Sequence, residues 1–333
     1  MMQQFVIESK NWDKILEQLI DCSFVYASVE DEFGQDYELL TKELITYIVY
    51  NKPKPVTSLK SFFLPVKENV SHNPDQDKQR VIIGVPNCDL EGLKILDEIY
   101  LDPDFHDPFY KHKRENTILI GADCFSIVEH CHCTTYGIKP YAEGNCDLSL
   151  TRLDGMVALT AYTVKGATFL LDISKLSECH ELPPNQEDLI AQKRNATLQM
   201  LAETNKLLPD YQQTGDLIKK SSEDIWKKYA SRCVSCGACA TICPTCSCFL
   251  LIDKPDFEKV KQMDACQYPG FERVAGGEDA LHERHVRFKN RYMCKYVWKP
   301  EKFKSIACTG CGRCIEACIG QISKNELFME LSN

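Results

Sequence analysis

The sequence predicts an α/β N-terminal domain with a βαβ-containing sheet, followed by a mainly α-helical, dicluster ferredoxin-like C-terminal domain. Three observations lead there. Residues 81–121 run strand, helix, strand, the pattern of parallel neighbours joined by a crossover. A Leu-Pro-Pro-Asn break at 182–185 closes that region and a long polar helix follows. The C-terminal third then holds two copies of C-x2-C-x2-C-x3-C, CVSCGACATIC from Cys233 and CTGCGRCIEAC from Cys308. The expected boundaries are 1–185 for the α/β domain, 186–228 for a helical connecting arm and 229–333 for the cysteine-rich domain.

Taken in order, residues 11–21 place Trp12, Ile15, Leu16, Leu19 and Ile20 at helical spacing, so an amphipathic helix is expected. The acidic stretch 30–38 reads as a solvated loop, 61–66 (SFFLPV) as a strand and 69–80 as a polar loop. Residues 81–85 (VIIGV) form an apolar strand, with Asp89 as the expected N-cap of a helix over 90–100. A Pro/Asp-rich loop leads to a second apolar strand at 117–121 (TILIG). Residues 148–153, 156–164 and 167–173 read as strands that finish the domain. One long helix is expected over 187–208. Another starts near Ser221, with Asp224 completing a capping box, and runs into Cys233.

The two four-cysteine runs carry the chemistry. Three thiolates at successive threes wrap one compact cluster, and the fourth points away to ligate the other cluster in two-cluster proteins. Cluster one is therefore assigned to Cys233, Cys236, Cys239 and Cys318, and cluster two to Cys308, Cys311, Cys314 and Cys243. Zinc knuckles come instead as CxxC pairs with a longer spacer. Gly237, Ala238, Gly310 and Gly312 leave room for backbone near sulfide. The insert between Cys243 and Cys308 is too long for the hairpins of a small bacterial ferredoxin. Within it, residues 281–304 hold eight Lys/Arg and two Glu, a solvated face or a basic docking surface.

Cys88 and Cys124 fall just past the carboxyl ends of the two predicted parallel strands, where α/β sheets place ligands. Cys131 and Cys133 follow in HCHC. A third [4Fe-4S] cluster on these four thiols, a zinc site assisted by His130 or His132, and ordinary free cysteines are the readings open here. Cys22, Cys146 and Cys179 are isolated and read as structural.

Nineteen cysteines in 333 residues, without an apolar h-region at MMQQFVIESK or a membrane-length apolar run, suggest a cytoplasmic metalloprotein. A net charge of −9 argues against nucleic acid. No G-x-G-x-x-G follows a strand and there is no P-loop, so no catalytic residue is assigned.

With these residues in view, the chain resembles a 4Fe-4S dicluster family, that of the iron–sulfur beta subunit of cytosolic sulfhydrogenases and its iron–sulfur counterpart in anaerobic sulfite reductase. The resemblance rests on residues 84–96 (GVPNCDLEGLKIL), 122–133, 233–249 with its CPTCxCF tail, 264–277 (DACQYPGFERVAGG) and the last run. It implies an electron-transfer subunit between a flavoprotein that handles NAD(P)H and a catalytic subunit carrying siroheme or nickel–iron. It also favours the cluster reading of Cys88, Cys124, Cys131 and Cys133. Cys294 stands where a histidine is expected and Ile319 where proline is usual. Cys246, Cys248 and Cys266 belong to the family pattern without an evident role. The paired C-x2-C of a nickel–iron site and the C-x5-C of a siroheme site are missing from this chain, so the implied role is electron relay. Other readings are a relay of another anaerobic reductase, heterodisulfide reductase-like or of lactate utilisation, and a zinc or iron–sulfur module without redox function. Arg232 and Arg313, beside ligands, are expected to raise cluster potentials.

Overall fold

A computed structural model describes residues 4–32, 34–72 and 78–332. The N-terminal part is built on a seven-stranded sheet, in the order β1-β8-β7-β6-β5-β2-β3. It opens with β1 (Gln4–Glu8) and α1 (Ser9–Cys22), whose Trp12, Ile15, Leu16 and Leu19 are buried as their spacing predicts. The acidic stretch is not a loop. β2 (Phe24–Asp31) and β3 (Gly34–Leu39) pair antiparallel through it, and the carboxylates occupy the outer positions of an edge hairpin. The strand expected at 61–66 is a 3-10 turn, Leu59–Phe62, which drives Leu59, Phe63 and Leu64 into the core. β4 (Lys67–Asn69) enters the predicted polar loop, of which residues 73–77 lie outside the described residues.

β5 (Arg80–Pro86), α2 (Asn87–Tyr100) and β6 (Thr117–Ala122) form the predicted βαβ unit, with β5 and β6 parallel. α3 (Pro108–Glu115), missed in the Pro/Asp-rich loop, is capped by Asp107, whose side chain accepts from the Phe109 and Tyr110 amides. Every residue of β6 is buried, because helices cover both faces of a parallel sheet. Val81, Ile83, Ile118 and Ile120 face α1. Ile82, Val85 and Leu119 face α2 and the 59–64 turn. Gly84, at φ +82, supports a register shift in β5 just before the cysteine turn.

β7 (Leu148–Leu153) and β8 (Met156–Ala161) complete the sheet. The expected third strand there is helix α4 (Val164–Ser174), since Phe169, Leu170 and Ile173 fall on one helical face. α5 (Pro184–Thr204) is the connecting arm. α6 (Tyr211–Lys220) was not foreseen, and the capping box belongs to it, between Asp210 and Gln213. α7 (Glu223–Ala230) starts after Ser222 without a side-chain cap.

The cysteine-rich part contains α8 (Ala238–Thr241), a ribbon of β9 (Phe249–Asp253) and β10 (Lys259–Met263), then α9 (Arg284–Met293). A π-turn, Cys294–Trp298, carries α9 into α10 (Lys299–Phe303), and α11 (Arg313–Glu316) and α12 (Lys324–Ser332) follow. The ribbon pairs with β4 in a small sheet of its own, and buried Lys261 bridges Glu68 at 2.9 Å and Asp107 at 2.7 Å, so the insert is tied to the N-terminal part. No helix among the described residues is long and apolar enough to cross a membrane.

α4 docks so closely that a Cβ on Gly166 would lie 2.1 Å from the Asp147 carbonyl oxygen. Gly166→Ala is expected to destabilise the protein by about 1–3 kcal/mol through overpacking, read as a lower midpoint in urea denaturation.

Candidate metal centres

The two cysteine runs meet in the folded chain, and each lends its last thiol to the other. One cavity is lined by Cys233, Cys236 and Cys239 of the first run and by Cys318 of the second. The other is lined by Cys308, Cys311 and Cys314 with Cys243. Gly237 and Gly312, at φ +73 and +78, turn the chain into the short helices α8 and α11 that carry Cys239 and Cys314. Cys314, Arg291 and Lys324 line both cavities, so the two are adjacent. The first opens to solvent at exposed Cys236, beside exposed Val234; the second is enclosed by buried Cys243, Cys308 and Cys311.

Buried cations aim at this sulfur. Lys295 Nζ donates to Cys243 Sγ at 3.0 Å, to Thr245 Oγ1 at 2.6 Å and to the Ala307 carbonyl at 3.1 Å. Lys324 Nζ donates to Cys308 Sγ at 3.3 Å and to His132 Nε2 at 2.8 Å. Arg291 holds the Cys239 carbonyl at 3.0 Å, while its Nε is buried without a partner. Lys60 donates to the Ala240 carbonyl at 3.2 Å and faces Cys246 and Cys243. No carboxylate among the described residues pairs with any of these four. Four unpaired buried cations around eight thiols fit cavities that hold an anionic, thiolate-bound group. The thiols respond accordingly. A hydrogen bond from Cys246, then Lys295, holds Cys243 well below the usual thiol range. Burial works against ionisation at Cys308, but Lys324 and Lys295 outweigh it and its pKa is lowered.

A third group of thiols forms in the N-terminal part. Cys88 sits in the first turn of α2, Cys124 two residues past β6, and Cys131 and Cys133 in the loop beyond. Cys124 faces Cys133 and Cys131, and Cys88 faces Cys133. Burial pushes the Cys88, Cys124 and Cys133 thiols up, Cys133 to about 12. α5 braces the loop, with Arg194 on Asp123 at 3.0 Å and Asn205 on the Cys131 carbonyl at 2.8 Å. His132 is already committed. Its Nδ1–H donates to the His130 carbonyl at 2.8 Å, leaving Nε2 as the acceptor for Lys324, so it has no lone pair free for zinc. Among the described residues, no three His, Cys, Asp or Glu side chains gather closely enough for a single metal ion.

This group abuts the second cavity, since Cys311 faces both Cys88 and Cys133. Cβ atoms on Gly310 and Gly312 would lie 2.6 Å from the carbonyl oxygens of His132 and His130. The expected room beside these glycines is therefore filled by the HCHC loop, and beside Gly237 by the Tyr268 ring.

Asp89 is no N-cap. It is buried in α2, accepts from the Leu59 amide at 3.1 Å and forms a two-pronged ion pair with Arg313 at 2.5 and 2.9 Å. Arg313 thus shares its charge with a carboxylate, and Arg232 is exposed beside the Tyr229 ring, so the buried charge left without a carboxylate beside the thiols comes from other residues. That role falls to Lys295, Lys324, Arg291 and Lys60. The basic stretch gave a usable signal for two of them. Arg287, Arg291, Lys295 and Lys299 recur every fourth residue, and the first three are buried, neither a solvated face nor a docking surface. Cys146 is in the core, whereas Cys22 is exposed and Cys179 half-buried.

Residues 232–322 match the family described as 4Fe-4S dicluster domain. Over 99% of its length the chain is also 27% identical to sulfhydrogenase 2 subunit beta of Pyrococcus furiosus, covering 98% of that protein. These similarities make [4Fe-4S] clusters the cofactor class and iron–sulfur electron transport the functional class. The fold agrees at the same level, with a mixed sheet and helices ahead of the dicluster region.

Asp89→Asn strands a buried guanidinium. It is expected to cost about 3–5 kcal/mol, with Asp89→Asn plus Arg313→Leu recovering part of the loss, as thermal denaturation of the two variants would measure.

Proposed function

We propose that this chain is the electron-relay subunit of a cytoplasmic oxidoreductase complex. In this reading Cys233, Cys236, Cys239 and Cys318 hold one [4Fe-4S] cluster, and Cys308, Cys311, Cys314 and Cys243 a second. Cys88, Cys124, Cys131 and Cys133 hold a third. The partners are an NAD(P)H-linked flavoprotein and a catalytic subunit with siroheme or nickel–iron. When bound, such clusters supply one-electron redox chemistry; the chain supplies ligands, hydrogen bonds and burial.

The observation that carries this reading is the contiguity of the thiol groups. The two cavities share Cys314, Arg291 and Lys324 as wall, and Cys311 of the second faces Cys88 and Cys133 of the third. Three redox groups in a row suit relay between two partners. Exposed Cys236, with Val234 bare beside it on the cavity wall, supports exchange with a partner at the first group. The full-length similarity to a protein named as the beta chain of a sulfhydrogenase supports assembly with other chains.

The test is iron and acid-labile sulfide analysis with EPR on anaerobically purified protein. About twelve irons in the wild type, falling to about eight in Cys124→Ser, is the expected result. About eight in both removes the third cluster, and an iron-free protein removes the relay.

Lys295 stabilises negative charge on the second group and so favours its reduced state. Lys295→Met should keep its iron but lower that potential by roughly 100–150 mV, the field of one nearby charge at an effective permittivity near 20. A redox titration followed by EPR reads the shift.

A further inference from the structure

The β9–β10 ribbon leaves one edge of its small sheet open. In the order β4-β10-β9, β9 has a neighbour on one side only among the described residues. The Asp264 amide donates to the Cys248 carbonyl at 2.9 Å, and the Lys254 amide to the Glu258 carbonyl at 2.8 Å. Residues 248, 250, 252 and 254 therefore turn their backbone groups toward β10, while Phe249, Leu251 and Asp253 turn theirs outward. The root of the ribbon is pinned. The Tyr100 hydroxyl donates to the Ser247 carbonyl at 3.0 Å, and Lys299 Nζ donates to the Thr245 carbonyl at 2.9 Å. The open edge is thus held in place before anything pairs with it, which lowers the ordering cost of association.

Sheet edges are ordinarily guarded by charge or by a covering stretch of chain. The large sheet follows that rule. Val6 and His180 exchange backbone hydrogen bonds at 2.8 and 3.0 Å along β1, and β3 carries Asp36 and Glu38. Among the described residues β9 has neither guard over its first four positions, Phe-Leu-Leu-Ile. Leu251 is 58% exposed, and Phe249 and Leu250 are exposed beside it. At the ribbon tip, Phe257 is fully exposed at φ +61, a conformation an aromatic residue rarely adopts. Apolar exposure on an unguarded edge marks a surface for strand pairing.

The edge is complementary to itself. Its outward residues are symmetric about Leu251, so two antiparallel copies set Leu251 against Leu251 and Phe249 against Asp253, each pair exchanging both backbone hydrogen bonds. Leu250 then falls opposite Ile252, apolar on apolar. The charges of the segment lie at one end, where Asp253 is already bonded to Lys259 at 2.6 Å. Antiparallel pairing places Asp253 and Lys254 opposite Phe249 and Cys248 of the other copy, so no like charges meet. We propose that β9 joins two copies of this chain edge to edge, through an antiparallel two-fold centred on Leu251. The two ribbons become one continuous sheet, and the contact is isologous. Each tip, with Phe257, reaches past Phe249 of the other copy, which gives the bare ring a surface to cover. The pairing does not depend on what the thiol cavities hold.

The experiment is sedimentation velocity on the anaerobically purified full chain over roughly 1–100 µM, the range in which a small interface associates. The expected result is a concentration-dependent species of twice the chain mass. Leu251→Lys, which sets two ammonium groups face to face at the two-fold, should weaken that dimer by roughly tenfold or more, whereas Leu251→Val keeps it. Leu251 is exposed in the single copy, so both variants should keep the wild-type iron content and urea midpoint. Hydrogen exchange read by mass spectrometry should show the 249–253 amides protected at high concentration and open on dilution. A monomer at every concentration overturns the proposal, as does a dimer that Leu251→Lys leaves intact. Amides at 249–253 that are protected only when a companion chain is present give the edge to another subunit, and that too overturns it.

Discussion

Buried negative charge is the constraint around which the C-terminal half is arranged. Eight thiols line two adjoining cavities; a thiol takes up metal only as thiolate, and a low-dielectric interior tolerates thiolates only beside cations or strong donors. Lys295 and Lys324 meet sulfur directly at 3.0 and 3.3 Å, and Arg291 stands in the wall between the cavities. Their positions explain the helices around them. α9 and the π-turn after it carry Arg291 and Lys295 inward on one face, while α12 starts at Lys324. Tyr292, Tyr296 and Phe328 pack edge to face around these side chains and keep water out. The aromatic packing and the cation placement are one design, because a lysine holds its charge in the interior only if its partners are fixed.

The second half of the architecture is the seam between the two parts of the chain. Backbone meets backbone where Gly310 and Gly312 face the HCHC loop, and the His132 amide donates to the Gly310 carbonyl at 2.9 Å. Beside that seam the Asp89–Arg313 pair joins α2 to α11. Pro244 lies against Gly92 of α2, where a Cβ would come within 2.9 Å of the proline ring. Lys54 reaches across to Glu316 at 2.8 Å and lies 4.0 Å from Cys131 Sγ. The N-terminal sheet therefore supplies a rigid mount for the last cysteine run and not a separate module on a tether. The same contacts put the third group of thiols against the second.

Much of this was legible in one dimension. The spacing of the cysteine runs depends on local turns, which short-range geometry dictates, and the crossed fourth thiols follow from where the next helix points. The βαβ unit was readable because buried parallel strands such as β6 are continuously apolar. Failures came where a local pattern served two structures. Residues 167–173 alternate well enough for a strand, yet the face formed by Phe169, Leu170 and Ile173 won, because β1 already occupies the far side of β8. The acidic stretch looked solvated, and it is, but on a hairpin edge strand.

By itself the sequence determined the cofactor class, the pairing of the two runs and the presence of an α/β unit ahead of them, because each rests on spacings within a few residues. Only the tertiary structure decided which charges matter. Lysines at 60, 295 and 324 are far apart in the chain and individually look like surface residues. Long-range packing brings Lys295 and Lys324 to sulfur and Lys60 to the Ala240 carbonyl, and the same packing neutralises Arg313 with Asp89. Charge acts through distance in space, and no spacing rule encodes a distance between segments that meet only after folding.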